Sequence, residues 1–240
     1  MWKCFFDFCY FLSFFIPARE RRNNFRVNKL FDYKHKLNVL RRACPELKIR
    51  SIRMIKGGWN IGFIINNKYV FKIRKKFDDS YIPKIIKEKR MTDAFRDIIP
   101  VKIPKIDIIS AENYTFYRYE FIRGHNMNTL PLYTILKHRQ TWAKQLAKFI
   151  FVMHNSNPDG IQDLVTENGD GWCHNDICNN VIIDTKTMRV VGLIDWEYSG
   201  WNYLETEFKN CSLYSSKLRK ANMGELIRAE YKKLEKHSKR

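Results

Sequence analysis

The residues best suited to chemistry lie in Cys173-His174-Asn175-Asp176-Ile177-Cys178-Asn179-Asn180, with Ile194-Asp195-Trp196-Glu197 further on. A His-x-Asp loop, a nearby Asn and a second Asp ending an apolar run are the types that phosphoryl transfer requires. A hydroxyl must be held in line while a divalent cation neutralises the triphosphate. One carboxylate would handle the hydroxyl proton, and the Asn amide oxygen and the other carboxylate would hold the metal. The same residue types also close ordinary turns. The assignment therefore requires a nucleotide cradle in the amino-terminal half.

Residues 52–76 offer one. Gly57, Gly58 and Gly62 allow a backbone to approach phosphates where a Cβ would obstruct it, and Asn60 lies among them. Two β-rich runs flank Asn66-Asn67-Lys68, which predicts a hairpin turn. Alternation sets Lys72 on the face opposite Phe71 and Ile73. A lysine on an inner sheet face is costly unless it meets an anion, and phosphate oxygens plus one carboxylate would supply it. Glu88, in a helical segment predicted over 83–95, is the carboxylate in view; the alternative is a solvated charge among Lys84, Lys87 and Lys89. Pro100 and Pro104 bracket an extended linker.

Residues 116–124 read as a strand running into a Gly turn. In a two-lobed kinase this is the hinge, where the backbone at Glu120 and Ile122 would meet adenine; the plain alternative is an edge strand. Trp142, Leu146, Phe149, Ile150 and Met153 predict a buried helix over 141–154, with His154 a cap or packing residue at its end. Short strands over 181–184 and 190–194 around a turn deliver Asp195 to a strand end, beside Asp176 and Asn180.

These motifs together resemble the aminoglycoside phosphotransferase and choline kinase superfamily, and the run Asp195-Trp196-Glu197-Tyr198-Ser199-Gly200-Trp201-Asn202 is most similar to choline and ethanolamine kinases and to lipopolysaccharide-modifying ones. The resemblance covers about residues 50–210. It implies an α+β, two-lobed protein-kinase-like fold, with an antiparallel-sheet N-lobe, a mainly helical C-lobe and an amphipathic N-terminal extension. The implied divisions are 1–45, 46–122 and 123–240. The implied cofactors are ATP and Mg²⁺. Asp176 becomes the catalytic base in the His174-x-Asp176 loop, and Asn180 and Asp195 become metal ligands. Gly57, Gly58 and Asn60 become the phosphate turn, while Lys72 holds the α/β-phosphates and pairs with Glu88. Three departures stand out. Asn180 follows Asp176 by four positions rather than five, leaving Asn179 as an alternative ligand. Glu205-Thr206-Glu207-Phe208 lacks the usual Asp, and the spans where larger relatives insert acceptor-binding helices are short.

Charge narrows the partners. The chain of 240 residues carries a formal +19, with 14 Lys/Arg against 4 Asp/Glu in residues 1–56. That balance calls for an anionic partner such as a membrane surface or phosphorylated glycan; no module or aromatic–Arg platform for nucleic acid is present in the sequence. From Trp2 to Ile16 the chain is mostly aromatic, then Pro17 precedes Arg19, Arg21, Arg22, Arg26 and Lys29. The run is shorter than the ~20 residues that span a bilayer. Helical spacing gathers Lys3, Asp7, Tyr10 and Ser13 on one side, leaving Phe5, Phe8, Phe11, Leu12, Phe15 and Ile16 for the interface of an anionic membrane, or for packing on the protein body. The six cysteines form no Cys-x-x-Cys pair and read as reduced thiols of a cytoplasmic protein at the inner membrane face. The acceptor classes left are choline, ethanolamine, or a sugar of a surface-glycan precursor. A pseudokinase or binding scaffold is the alternative, and an aminoglycoside acceptor fits poorly because its binding pocket is usually acidic.

Overall fold

The computed structural model describes residues 8–9, 11–16, 32–56, 60–75, 79–213 and 215–238. Gly57 and Gly58, and the basic run from Arg19 to Lys29, lie outside the described residues. The chain forms two compact units, the first from residues up to Asp79 with Asp107–Tyr119, the second from Ser80–Ile106 with Glu120 onward.

The first unit is built on a five-stranded sheet. Its strands are β1 (Ile52–Lys56), β2 (Asn60–Ile65), β3 (Tyr69–Arg74), β4 (Asp107–Ala111) and β5 (Tyr114–Glu120), in the order β1-β2-β3-β5-β4. The β2–β3 hairpin turns where expected. Asn66 and Asn67 both adopt left-handed φ values of 55° and 49°, a region asparagine tolerates better than most residues. The Asn66 amide also bonds to the backbone of Lys48, Arg50 and Ser51, so this residue fixes the chain before β1 as well.

Side-chain alternation gives the sheet two faces. Phe63, Phe71, Ile73 and Phe116 are fully buried in one core with Leu37, Val39 and Leu40 of helix α1 (Asp32–Ala43). Part of the stretch read as an extension therefore belongs to the packing of this unit. Lys36 on α1 is 1% exposed, and its ammonium donates to the Lys75 carbonyl at 2.7 Å, as a buried charge must.

The second unit is mainly helical. It holds α2 (Ile82–Phe95), α3 (Leu132–His154), α4 (Leu204–Leu213), α5 (Ser216–Lys220) and α6 (Met223–Ser238). Two small sheets accompany them: β6 (His125–Asn126), β8 (Val181–Asp184) and β9 (Arg189–Leu193) in the order β6-β8-β9, and β7 (Gly171–Cys173) paired with β10 (Gly200–Asn202). The α3 helix begins at Leu132, earlier than the apolar stripe predicts. Its first turns bury only Thr134 and Ile135 and expose Tyr133 and Leu136, so they carry little periodic signal.

The Pro-bracketed linker is extended and is clipped to β9. The Lys102 amide donates to the Val191 carbonyl at 3.1 Å, and the Leu193 amide donates to the Lys102 carbonyl at 3.0 Å. Trp142, Trp172 and Trp196 are the largest side chains of the core. No described helix is long and apolar enough to cross a membrane.

Candidate active site

The β7–β10 pair aims the loop that follows it. Gly200 pairs with Cys173, and His174, Asn175 and Asp176 come next in the chain. Asn175 takes a left-handed φ of 65°, and Asp195 takes one of 62°. Non-glycine residues hold that conformation only where their surroundings enforce it. Here the enforcement is visible. The Asn175 amide donates to the Tyr198 carbonyl at 2.9 Å, while its Oδ1 accepts from Asn202 at 2.9 Å. His174 is fully buried, leans on the Trp196 ring at 4.8 Å between centroids, and donates from Nε2 to the Ile194 carbonyl at 3.1 Å. It thereby joins the loop of Asp176 to the strand end bearing Asp195.

The short helical turn over Ile177–Asn179 folds two amides back onto Asp176. Asn179 Nδ2 donates to Oδ1 at 2.6 Å, and Asn180 Nδ2 donates to Oδ2 at 2.9 Å. The Ile194 amide donates to the Asn180 carbonyl at 3.0 Å, which sets Asn180 beside Asp195. Asp176, Asn180 and Asp195 are thus brought together within one unit.

Electrostatics at this point are strained in a useful sense. Burial raises the Asp176 carboxyl above its ordinary range; the Asn179 and Asn180 amides oppose the shift and the nearby Asp195 charge adds to it. Two carboxylates held this close invite a cation. Among the described residues no group of three or more His, Cys, Asp and Glu is arranged as a metal site, so a cation here would rely on amide oxygen as well. Asn180 spends its N–H groups on Asp176, leaving Oδ1 as its oxygen for a metal. Asn179 differs, because its Oδ1 already accepts from Asn128 Nδ2 at 3.3 Å. The oxygens present suit a hard divalent ion.

Burial drives the His174 imidazole down to about 4, so it is neutral at physiological pH. Cys173 and Cys178, which flank the loop, are buried free thiols. His154 forms a chain of its own away from Asp176: Tyr231 OH donates to Nδ1 at 2.9 Å and Nε2 lies 3.3 Å from Asp170 Oδ1. Gly171 is required beside it, since a Cβ there would sit 1.8 Å from the His154 ring.

Among the nucleotide candidates, Asn60 is buried in β2 opposite Arg74, and Lys72 lies opposite Gly62, two positions along, so both belong to one sheet face. The Lys72 ammonium sits 5.4 Å from the centroid of the Tyr117 ring. Glu88 is 2% exposed in α2, and its Oε1 accepts the Trp196 amide N–H at 3.1 Å. Glu88 therefore reaches the residue next to Asp195. Glu120 ends β5 exposed, and Ile122 is buried against Gly192.

One residue of this site escaped sequence reasoning. Glu207 in α4 is fully buried, and its carboxylate accepts the amide N–H groups of Asn175 at 2.8 Å and Ile177 at 3.4 Å. Burial pushes its carboxyl up to about 7 against these hydrogen bonds. The acidic segment after Asp195 is visible in sequence, but not which glutamate turns inward.

An antiparallel sheet unit and a mainly helical unit are the parts of the protein-kinase-like fold. Residues 161–232, which include Asp176, Asn180, Asp195 and Glu207, match the phosphotransferase enzyme family known as APH. Among solved structures, the chain is similar to the APH(2″)-IIa aminoglycoside phosphotransferase in its ternary complex with streptomycin and ATP, at 17% identity and TM-score 0.57, covering 83% of this chain and 81% of that one. It is similar also to ADP-bound APH(2″)-Ib, at 18% identity and TM-score 0.58 over 85% and 82% of the two chains. APH(3″)-Id from Streptomyces rimosus gives 13% identity and TM-score 0.59 over 83% and 92%. No curated protein sequence matches the chain. The similarity to solved structures therefore stands at the level of the fold, and the family match is confined to residues 161–232.

Proposed function

We propose that the protein is an ATP- and Mg²⁺-dependent kinase that phosphorylates a hydroxyl of a surface-glycan sugar or of a small molecule. The observation that carries this reading is the convergence of Asp176, Asn180 and Asp195 through the Asn180–Asp176 and Ile194–Asn180 hydrogen bonds. Nucleotide-bound relatives of the same fold support it. In this reading Asp176 accepts the hydroxyl proton, and Asn180 Oδ1 with Asp195 holds the cation. When bound, Mg²⁺ offsets charge on the phosphates. Gly57, Gly58, Asn60 and Lys72 hold the nucleotide, with the backbone at Glu120 and Ile122 toward adenine. His174 and Glu88 act as positioning residues, since each is buried and bonds to the segment around Asp195.

The roles of the two asparagines can be separated. In Asn180→Ala, half-maximal turnover should require at least about tenfold more Mg²⁺, given that even outer-shell partners of metals command about 10–100-fold in affinity. Asn179→Ala should lower turnover while leaving the Mg²⁺ requirement nearly unchanged. The reverse pattern would assign the metal to Asn179.

The glycan reading is favoured over choline by the aromatic residues. Trp201, which with Tyr203 could box a quaternary ammonium, instead packs edge-on against the buried Trp172 ring at 5.2 Å between centroids. Tyr198 and Tyr203 are exposed on the same segment and keep choline or ethanolamine as the second reading. ATP consumption measured across neutral sugars, sugar acids, sugar phosphates, choline and ethanolamine decides between them, with Asp176→Asn as blank. Consumption equal to the blank with every acceptor points to the scaffold alternative.

A membrane location is part of the proposal. Phe8, Phe11, Leu12, Phe14 and Phe15 are all exposed while Ser13 is buried, which leaves an apolar aromatic face ahead of the basic run. Cosedimentation with phosphatidylserine-containing vesicles should fall at least about tenfold in Phe11→Ser/Phe15→Ser, by the burial value of aromatic side chains. It should also weaken with salt. Binding that ignores both changes removes the membrane from the account.

A further inference from the structure

Lys87 takes no part in the arrangement around Asp176 and Asp195. Among the described residues its ammonium has neither an ion pair nor a hydrogen bond, although the side chain is partly buried. Its neighbours on α2 differ: Glu88 bonds to Trp196, and Lys89 pairs with Asp93 at 2.5 Å. Burial alone pulls the Lys87 ammonium below the ordinary lysine range, with no carboxylate offsetting it. A long, flexible lysine would normally extend to water rather than accept that cost.

Where it is held is informative. Gly200 faces Lys87 so closely that a Cβ there would come within 3.2 Å of Nζ and 3.6 Å of Cε. Gly200 is the register partner of Cys173, the last residue of β7 before His174-Asn175-Asp176. The ammonium is therefore held at the end of the strand pair that runs into the catalytic loop, on a segment four residues beyond Trp196. A partly buried cation at the start of a loop proposed to handle an acceptor hydroxyl is placed to receive an oxyanion.

We infer that Lys87 binds an oxyanion carried by the acceptor, so that the natural acceptor is a phosphorylated or carboxylated sugar rather than a neutral or cationic alcohol. This rests on the kinase reading above and narrows its substrate class. Both oxyanions use the same chemistry, a charge-assisted hydrogen bond from Nζ.

The test uses the full chain with ATP and Mg²⁺, and glucose 6-phosphate, glucuronate, glucose and choline as acceptors. One or both anionic sugars should be preferred. Lys87→Met should raise KM for the preferred anion by about tenfold or more, the value of one charge-assisted bond. Lys87→Arg should restore most of it, and KM for ATP should stay unchanged. Which anion responds distinguishes phosphate from carboxylate. Glucose or choline turned over as well as either anion overturns the inference while leaving the kinase reading intact.

A second measurement does not depend on turnover. Lysines are reductively methylated with ¹³C-formaldehyde, and the Lys87 signal is assigned by its loss in Lys87→Arg. Glucuronate or glucose 6-phosphate should shift that signal and glucose should not. An unmoved signal overturns the inference even if the variants fold poorly or no acceptor is consumed.

Discussion

Asp176→Asn should retain nucleotide binding and lose phosphotransfer by about a thousandfold, within the range a positioned base contributes. That factor corresponds to about 4 kcal/mol of transition-state stabilisation. The substitution is close to isosteric, so packing is preserved, but the electronic change falls on the reacting group. It also places an amide N–H where a carboxylate oxygen now accepts. Asn179 and Asn180 each direct Nδ2 at a different Asp176 oxygen, and one of them must then face a donor. Single-turnover transfer of labelled phosphate, measured beside equilibrium binding of a fluorescent ATP analogue, separates chemistry from binding. Transfer within tenfold of the parent protein would remove Asp176 from the role of base and favour a purely electrostatic part for the loop.

Glu207→Gln should destabilise the protein and lower turnover together. The carboxylate accepts two loop amides through two oxygens, and glutamine has only one. At least one buried N–H is left unpaired, at about 1–3 kcal/mol. The loop that loses this anchor is the one that carries Asp176, so kcat should fall more than KM rises. The pH dependence supplies a sign. The Glu207 carboxyl is raised from 4.5 to about 7 in the folded protein, so the folded state holds the extra proton between those values. Its contribution to stability is fully present below pH 4.5 and is lost as pH rises toward 7. His174 runs the other way. With its folded value lowered from 6.5 to about 4, its contribution is present above pH 6.5 and lost as pH falls toward 4. The two slopes oppose each other over most of this window. Removing Glu207 should unmask the rising limb, so that Glu207→Gln gains stability with pH more steeply than the parent, by up to about 1.4 kcal/mol per unit. Parallel urea-denaturation profiles across pH 4.5–7 would show Glu207 to be uncoupled from folding.

Much of this site is legible in the amino-acid sequence. The spacing of Asp176, Asn180 and Asp195 and the alternation around Lys72 depend on local chain geometry, which a motif records directly. The hairpin at Asn66-Asn67 is legible for the same reason, because left-handed φ restricts the residue types that can serve. What fails to show in sequence depends on contacts between distant residues. Trp196 directly follows Asp195 in the motif, yet it is a core residue stacked on Phe95, some hundred positions earlier in the chain. The identity of the inward acid among Glu205 and Glu207 is a matter of helix phase. Glu207 turns toward the loop amides while Glu205 pairs with Arg228 at the surface.

Residue order alone points to the proposed class of chemistry, because its base, amide and carboxylate must appear at fixed intervals on short loops whatever surrounds them. Tertiary structure decided which oxygen of which asparagine is left for a cation, which glutamate anchors the loop and that half-buried Lys87 has no partner among the described residues. Each of those outcomes is set by competition for hydrogen bonds and by loss of water in a packed interior. Neither quantity is a property of a residue or its sequence neighbours; both arise only when remote segments close over the same few atoms.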